Sequence, residues 1–420
     1  MSFRPTRPGL ERLAVSAPDV PGLVEGLSCF ADGLPSPRWT AGRADGAAGR
    51  TAWCFGGHGS QWTGMGRALP AWSPVAAGVL AELDGLLPGG VTGPLARPPG
   101  AGADGPGTAQ PLIFALQVAT ARWLLSLGLR PDAVVGHSLG EVAAAHIAGV
   151  LTLPEAARVV ATRSRLLARA RQTGVGGAMA TIGLDRHTVE RHCARTPGTV
   201  VVAAHSAPRE TVITGAADAV GALVGLLQAE GVRCRTIRID AASHSPYVDG
   251  VLPELRAELA GLAPATPRVP WVSTVDAARD PAAGPGLGSA AEAGSQPAGP
   301  DPEPAGSGPA PSGLGTPDYW ARNLRQPVRF TQAVSALAGR GVRAFVEIGP
   351  HPVLARPIRD TLRDEGVAAP LVAASGHRGT PEPVALLRLL GALYCRGLDL
   401  PGLTDHPTPH PPVPPNERQP

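Results

Sequence analysis

The 420-residue chain contains no lysine, so its 37 strongly basic side chains are all arginines. They outnumber the 34 acidic residues by only three, and no basic run interleaves with aromatic residues, so nothing predicts a nucleic-acid partner. No stretch approaches the ~18 apolar residues of a membrane span, and the N-terminus lacks the apolar core of a signal peptide. These absences predict a cytoplasmic protein that does not associate with a membrane.

Cysteine is also scarce, and its five positions are scattered: Cys29, Cys54, Cys193, Cys234 and Cys395. The number is odd and no C-x-x-C pair occurs, which argues against both a disulfide framework and a zinc site. This usage fits a reducing cytosol, and we expect no bound metal.

Strands alternate with helices along most of the chain. The apolar runs that predict buried strands are 51–55, 132–136 and 344–349, and those with helical spacing are 109–128, 153–172 and 382–395. The alternation predicts an α/β domain, formed by residues 49–175 and 240–400, whose parallel sheet is covered on both faces. Reactive groups in such sheets lie at the carboxyl ends of the strands.

Residues 176–239 have a different texture, in which short strands and two helices follow the order β-α-β-β-α-β. That order is the pattern of a ferredoxin-like unit, so a small subdomain is predicted to be inserted in the larger domain. Residues 1–48 resemble a linker that contains a short helix at Val20–Leu34. The Gly-, Pro- and Ala-rich segment 280–316 cannot bury a core and is predicted to be a disordered insertion, and the proline-rich tail at 401–420 is predicted to be disordered too.

A serine turn, Gly136-His137-Ser138-Leu139-Gly140, stands between a predicted strand and a predicted helix and matches the G-x-S-x-G nucleophile elbow. The glycines permit a sharp turn that exposes the serine hydroxyl at the top of the sheet. The N-terminus of the following helix points its N–H groups at the same place and favours developing negative charge. A plain strand-to-helix turn whose serine caps the helix is the alternative.

A serine nucleophile needs a base, and the chain offers eleven histidines. His244 leads by position, because it stands where the chain leaves the small subdomain, and sites often occupy clefts between domains. His351 could line the site or cap a turn, and His137 should point away from the serine hydroxyl. The histidines predicted to lie on surface helices, in loops or in the tail, or to point away, are His146, His187, His192, His377, His406 and His410.

Six ordered segments carry a resemblance to a known family. They are CFGGHGSQWTGMGRAL at 54–69, VVGHSLGEVAAAHIAGVLTL at 134–153, TRSRLL at 162–167, ASHSPYVD at 242–249, DYWARNLRQPVRF at 318–330 and FVEIGPHPVL at 345–354. Together they resemble the acyltransferase domains of modular polyketide synthases and, more distantly, the malonyl-CoA:acyl-carrier-protein transacylases. The resemblance covers about residues 50–400, the insertion apart, and implies an α/β-hydrolase-like domain that carries a ferredoxin-like subdomain.

The resemblance implies that Ser138 attacks the thioester of an acyl-CoA while His244 acts as general base. The acyl-serine then passes its acyl group to the phosphopantetheine thiol of an acyl carrier protein, so ping-pong kinetics are expected and no cofactor is bound. Asn323 falls where the family supports the histidine through a main-chain carbonyl. The main-chain N–H groups of Leu139 and His58 would form the oxyanion hole, although the family reads Gly-Gln-Gly where this chain has its histidine.

Arg163 lies 25 residues after Ser138, the spacing at which the family carries the arginine that binds a malonyl carboxylate. A guanidinium binds a carboxylate bidentately, which favours a malonyl-type donor over a simple acyl group. Without the family, Arg163 would be ordinary surface charge, like Arg165 or Arg158.

The pocket for the substrate side chain is predicted to include Ala241, Ser243, His137 and Gln61. In the family, Y-A-S-H ending at the histidine broadly marks methylmalonyl selectivity and H-A-F-H marks malonyl, whereas this chain reads A-A-S-H. Its small residues leave room for a substituted malonyl group. Because the stand-alone malonyl transacylases also carry serine there, malonyl and alkylmalonyl donors both stay open.

Two other functions are compatible with an elbow and a histidine: a serine hydrolase such as a thioesterase, and a non-catalytic docking or scaffold protein. Arg163 and the GGHGSQW loop argue against the first, and the intact Ser138, His244 and Arg163 argue against the second. The chain could be a discrete acyltransferase that serves carrier proteins in trans, or a part of a synthase with other modules as partners.

Overall fold

The structure is a computed structural model, and it describes residues 11–44, 49–96, 109–172, 177–237, 242–276, 313–398 and 400. The predicted disordered tail and residues 280–312 of the predicted insertion lie outside this part of the chain. The last four residues of that insertion are ordered, since Thr316 Oγ1 donates to the Gly313 carbonyl at 2.7 Å and Trp320 Nε1 donates to the Gly315 carbonyl at 2.9 Å. The prediction was therefore wrong for 313–316, because this turn caps the helix that follows.

The N-terminal segment forms a strand, a helix and a second strand. With elements numbered in chain order, these are β1 (Glu11–Val15), α1 (Val20–Ala31) and β2 (Trp39–Arg43). The two strands pair antiparallel and pack on the last helix, α14 (Glu382–Cys395). Arg12 Nη1 donates to the Tyr394 carbonyl at 2.8 Å, so the described part of the predicted linker is attached to the large domain.

A five-stranded parallel sheet forms the centre of the large domain. In spatial order its strands are β11 (Leu371–Ala374), β10 (Val342–Ile348), β3 (Arg50–Phe55), β4 (Ala133–Gly136) and β9 (Trp271–Val272). Strands β3, β4 and β10 are buried along almost their whole length, as expected of a sheet covered on both faces. The predicted parallel sheet is confirmed.

Helices cover both faces of this sheet. Besides α14 they are α2 (Leu69–Trp72), α3 (Pro74–Leu86), α4 (Thr92–Ala96), α5 (Ala109–Ser126), α6 (Gly140–Ile147), α7 (Leu153–Gln172), α10 (Leu252–Glu258), α11 (Pro317–Arg325), α12 (Phe330–Gly339) and α13 (Ala355–Asp364). Trp53 and Phe55 of β3 face one hydrophobic core, and Ala52 and Cys54 face a second, as the alternation of a strand requires.

Residues 177–237 fold into the predicted small subdomain. Its elements follow the order β5 (Gly177–Ile182), α8 (Arg186–Arg195), β6 (Val200–Ala207), β7 (Glu210–Ala216), α9 (Ala217–Ala229) and β8 (Cys234–Ile237). All pairs are antiparallel and the spatial order is β6-β7-β5-β8, the arrangement of a ferredoxin-like unit. Strand β6 joins the subdomain to the large domain, because the His205 N–H donates to the Val328 carbonyl at 2.8 Å.

Two predicted elements are shorter than expected. The predicted helix at 248–262 starts as a 3-10 helix, Pro246–Val251, and α10 begins only next to Pro253, because proline lacks an N–H and is tolerated at a helix start but not in its interior. The predicted strand at 269–274 is reduced to β9 at the sheet edge. Of the helices in the described ranges, none is both long and apolar enough to cross a membrane.

Candidate active site

The serine turn lies at the carboxyl end of β4 and leads directly into α6. Ser138 has a φ of 55°, in the left-handed region that non-glycine residues seldom adopt. Both flanking glycines are required by close approach, since a Cβ on Gly136 would lie 2.2 Å from the Glu141 nitrogen and one on Gly140 would lie 2.0 Å from the Phe55 carbonyl oxygen. Strand, serine and helix thus have the geometry of a nucleophile elbow.

His244 meets this serine. Ser138 Oγ lies 2.8 Å from Nε2 of His244, and Nδ1 of the same ring lies 2.8 Å from the Gln326 carbonyl oxygen. A carbonyl can only accept, so Nδ1 carries the ring proton and Nε2 is left to accept from the serine hydroxyl. His244 also has a positive φ, 61°, so two of the three such non-glycine residues in the described ranges form this pair.

The prediction for Asn323 was wrong, because the carbonyl that supports His244 belongs to Gln326. Gln326 is the C-cap of α11, and the carbonyls at a helix end have no partner within the helix. Asn323 lies inside α11 and acts through its side chain. Its Nδ2 donates to the Ser138 carbonyl at 3.2 Å, and its Oδ1 accepts from Arg163.

Arg163 extends from α7 to the same point. Its guanidinium donates to Ser138 Oγ at 2.8 Å, to Asn323 Oδ1 at 2.5 Å and to Gln110 Oε1 at 3.3 Å. Arg163 is only 4% exposed, and no carboxylate of the described chain forms an ion pair with it. Burial lowers its pKa to about 10, which leaves it charged at neutral pH. The neutral oxygens that hold this buried cation leave its charge uncompensated, which is costly in a protein interior.

The two histidines of the site are neutral. Burial lowers the pKa of His244 to about 3, and the positive charge of Arg163 adds to this effect. Burial likewise lowers the pKa of His137 to about 4. The His244 ring is therefore unprotonated over the neutral range, as a general base must be.

The glycine-rich loop after β3 borders the elbow. A Cβ on Gly57 would lie 2.9 Å from the His137 carbonyl oxygen and 3.7 Å from Ser138 Cβ, so the main chain of the loop passes next to the serine. His58 follows in this loop. Leu139, the other predicted oxyanion donor, is the N-cap residue of α6. Its N–H makes no hydrogen bond to the residues that the structure describes.

Gln61 lies in the same loop, and its side chain forms hydrogen bonds within that loop. Its Oε1 accepts from the Gly59 N–H at 2.7 Å, and its Nε2 lies 3.1 Å from Nε2 of His58. These contacts shape the main chain beside the serine.

The other predicted pocket residues stand near the elbow where the structure describes them. The partly buried ring of His137 contacts Phe330 edge-on, with 5.6 Å between ring centroids. Ser243 is partly buried and directly precedes His244. Ala241 lies outside the described residues.

A buried carboxyl group lies below the elbow, at the start of α6. Glu141 is fully buried in α6, and its oxygens accept from the Thr274 N–H at 2.7 Å, the Thr274 hydroxyl at 2.5 Å and the Tyr319 hydroxyl at 2.8 Å. Burial raises its pKa to about 7. These bonds tie the start of α6 to α11, and hence Ser138 to Asn323. A charged residue within an otherwise apolar helix was the sequence signal.

His351 lies away from the catalytic pair and connects two loops. Its Nδ1 accepts from the Arg378 N–H at 3.2 Å, and its ring contacts His377 edge-on.

The described part of the chain holds no group of three or more His, Cys, Asp or Glu residues that could bind a metal ion.

Comparison with known proteins decides the family. The chain matches the family model of the acyl transferase domain over residues 52–399. The chain belongs to the acyltransferase family. The resemblance carried by the six sequence segments is thereby confirmed, and the protein is an acyltransferase of the kind found in polyketide synthases.

Curated relatives of this acyltransferase are much longer proteins. The 5-methyl-1-naphthoate synthase of Streptomyces sahachiroi is 38% identical over 395 residues, which cover 92% of the chain and 20% of that relative. Polyketide synthase GfsB of Streptomyces halstedii is 35% identical over 394 residues, which cover 93% of the chain and 6% of the relative. The chain thus spans a fifth or less of the length of these relatives.

Solved structures of similar size share the fold of the acyltransferase. The acyltransferase domain from module 8 of the salinomycin polyketide synthase has a TM-score of 0.80 at 31% identity, over 96% of the chain and 88% of that domain. The acyl transferase domain of SpnD, in complex with 2-(pent-4-yn-1-yl)malonyl, has a TM-score of 0.73 at 27% identity, over 96% of the chain and 88% of that domain.

Proposed function

We propose that this acyltransferase moves a malonyl-type acyl group, malonyl or alkylmalonyl, from CoA to the phosphopantetheine thiol of an acyl carrier protein through an acyl-Ser138 intermediate. The observation that carries the proposal is the buried guanidinium of Arg163. It donates to the Ser138 hydroxyl, and no carboxylate of the described chain neutralises it. A donor that ends in a carboxylate supplies the missing anion at a fixed distance from the nucleophile.

In the first half-reaction, Ser138 Oγ attacks the carbonyl carbon of the thioester while its proton passes to Nε2 of His244. The Gln326 carbonyl holds the Nδ1–H and stabilises the imidazolium that forms. Negative charge on the former carbonyl oxygen is stabilised by the Leu139 and His58 N–H groups. The carbon–sulfur bond then breaks, and the CoA thiolate leaves with the proton from His244.

In the second half-reaction, the carrier thiol gives its proton to Nε2 of His244 and its sulfur attacks the acyl carbon. The bond to Ser138 Oγ breaks, and the serine oxygen takes the proton back. His244 is the base in both half-reactions. Donor and acceptor use the site in turn, which is ping-pong catalysis.

Arg163 acts on the base as well as on the substrate. Its positive charge contributes to the low pKa of His244. A carboxylate bound to Arg163 cancels this charge, so the pKa of His244 rises when a malonyl group binds and the base becomes stronger. An acetyl group has no carboxylate and gives no such increase.

The small size of the residue before His244 supports the alkylmalonyl part of the proposal. Ser243 is a small residue next to His244, and the ring of His137 lies against Phe330. The SpnD domain, which shares this fold, holds a malonyl group with a five-carbon substituent. We therefore include substituted malonyl groups among the donors.

The setting of the reaction is part of the proposal. All five cysteines are free thiols, which supports a reducing, cytoplasmic location. The curated relatives are synthases several times longer than the chain, which supports cooperation with the carrier proteins and other modules of a polyketide synthase.

Intact-protein mass spectrometry tests the proposal. The protein is mixed in turn with malonyl-, methylmalonyl-, ethylmalonyl- and acetyl-CoA, and Ser138→Ala is the matched control. We expect a mass increase of one acyl group from the malonyl-type donors, absent in Ser138→Ala and retained until a carrier thiol is added. A mass increase that persists in Ser138→Ala contradicts the nucleophile, and rapid loss of the acyl group to water without a carrier would indicate a hydrolase.

A further inference from the structure

The groove between the small subdomain and the large domain widens into a cleft of about 380 Å³. Strands β5 and β8 and the residues next to them form one wall, and the turn before α13 and the first residues of α13 form the other. The charged or titratable side chains that line it are Arg233, Arg235, Arg356, Arg378, His351 and Glu210. We call it the arginine cleft.

Most of the positive charge in the arginine cleft is uncompensated. Arg356 lies 3.8 Å from Glu210 and 3.4 Å from Asp360. The guanidinium groups of Arg233, Arg235 and Arg378 have no carboxylate within ion-pair distance in the described part of the chain. Like charges that line one small cleft repel each other, and an anion between them relieves that repulsion.

The arginine cleft adjoins the loop that borders the nucleophile. Gly59 lines the cleft, and Arg378 Nη2 donates to the Gln61 carbonyl at 3.4 Å. Two residues before Gly59, the main chain at Gly57 passes next to Ser138. A long, flexible ligand whose charged end lies in the cleft can follow this loop to the serine.

We propose that the arginine cleft binds the phosphate groups of the CoA donor, which are the diphosphate and the 3′-phosphate of its nucleotide end. This inference rests on the proposed function. Guanidinium groups bind phosphate through paired N–H···O bonds, and the cleft volume is in the range of small-molecule sites. CoA brings three phosphate groups to three uncompensated arginines, whereas the arm of a carrier protein has a single phosphodiester.

The double variant Arg233→Ala/Arg235→Ala tests the inference with two donors. Malonyl-CoA has the phosphates, and malonyl-pantetheine has the same thioester and the same arm without them. Arg195→Ala is the matched control, because Arg195 is an exposed arginine of the same subdomain that does not line the cleft. For each protein, the rate of Ser138 acylation is measured by intact mass against donor concentration, which gives a half-saturating concentration and a maximal rate.

We expect the half-saturating concentration of malonyl-CoA to rise about tenfold in the double variant, at an unchanged maximal rate, which corresponds to ~1.4 kcal/mol. The value for malonyl-pantetheine should not change, and Arg195→Ala should behave as the wild type. An unchanged half-saturating concentration of malonyl-CoA overturns the inference. This holds even if the double variant transfers its acyl group to a carrier protein more slowly. An equal rise for both donors also overturns it, since phosphate then has no part in the effect. A wild-type protein that neither donor acylates contradicts the proposed function itself.

Discussion

A single hydroxyl group connects the three residues at the centre of the site. Ser138 Oγ accepts from Arg163 and lies opposite Nε2 of His244, each at 2.8 Å. The guanidinium of Arg163 is therefore close enough to His244 to help lower the pKa of that histidine. At the scale of single residues, the basicity of His244 therefore depends on the charge of Arg163.

The pH dependence of serine reactivity tests this coupling. His244 acts as a base only when it is neutral, so the rate falls as the pH decreases through its pKa. Replacing Arg163 by alanine removes a positive charge and raises that pKa, while burial still keeps it below the ordinary value. The pH at which Ser138 reacts half-maximally with phenylmethylsulfonyl fluoride, a neutral reagent, should therefore be higher in Arg163→Ala than in the wild type.

The control for this measurement is Arg165→Ala, which removes an exposed arginine of the same helix that pairs with Glu254 and Glu258. Its midpoint should equal that of the wild type. A midpoint in Arg163→Ala that is unchanged or lower would mean that the two side chains are not coupled.

Asn323→Ala tests whether the Asn323 side chain supports Arg163 and not His244. The substitution removes the hydrogen bond to Arg163 and the bond to the Ser138 carbonyl, and it leaves the bond from His244 to Gln326. Acylation by malonyl-CoA should therefore slow by roughly fivefold, about 1 kcal/mol, through the weaker support of Arg163. The rate with phenylmethylsulfonyl fluoride should stay close to that of the wild type. Equal losses in both reactions would mean that Asn323 acts on the nucleophile, through its hydrogen bond to the Ser138 carbonyl, and not on Arg163.

The sequence predicted the three side chains that meet at the Ser138 hydroxyl. Ser138 and Arg163 stand in recognisable motifs, and His244 could be selected by its place at the edge of the small subdomain. Gln326 could not be predicted, because it contributes a main-chain carbonyl, and the position at which a helix ends determines which carbonyl is exposed. Gln110 was visible only as a polar residue in an apolar helix.

At the scale of elements, the elbow is held by backbone packing against β3. Gly140 has no room for a side chain, because the Phe55 carbonyl of β3 occupies the position where a Cβ would lie. Replacing it by alanine must move α6 or β3, and both carry the site. The glycines of the elbow are thus structural requirements of the position of Ser138.

Two glycine substitutions give a matched test of this point. Gly140→Ala should lower the free energy of unfolding by more than ~3 kcal/mol, a size reserved for strain or overpacking in a core. Gly78→Ala lies in the exposed interior of α3 with no atom within 4 Å of the added Cβ, and should raise stability by up to ~1 kcal/mol. Urea unfolding measures both. A Gly140→Ala protein as stable as the wild type would show that the elbow is not packed as described.

Elements were predictable in proportion to their length and burial. The continuous apolar runs of β3, β4 and β10 identified the parallel sheet, because strands buried on both faces need no polar alternation. Helices α2 and α4 have four and five residues, too few for a periodic pattern to develop. The length of β9 was overestimated. Apolar residues on either side of it also pack in the core, although they do not pair with β4.

At the scale of the whole molecule, the site is built between two folding units. The large domain supplies the elbow and Arg163, and His244 stands at the return from the small subdomain, held by α11 of the large domain through the Leu324 and Gln326 carbonyls. The arginine cleft lies on the same boundary. The path from the cleft along the glycine-rich loop to Ser138 therefore depends on both units.

The most direct test of the account is a competition between malonyl-CoA and acetyl-CoA for Ser138. Both donors are present at equal concentration, and intact mass gives the ratio of malonyl- to acetyl-enzyme in a single turnover. Any general effect of a substitution on the nucleophile cancels in this ratio. Arg163→Ala should lower the ratio by about 10- to 100-fold, because a hydrogen bond to a charged group contributes ~1.5–3 kcal/mol. Arg165→Ala should leave the ratio unchanged. A ratio that is the same in Arg163→Ala and the wild type would contradict the central claim that this buried arginine selects the acyl group.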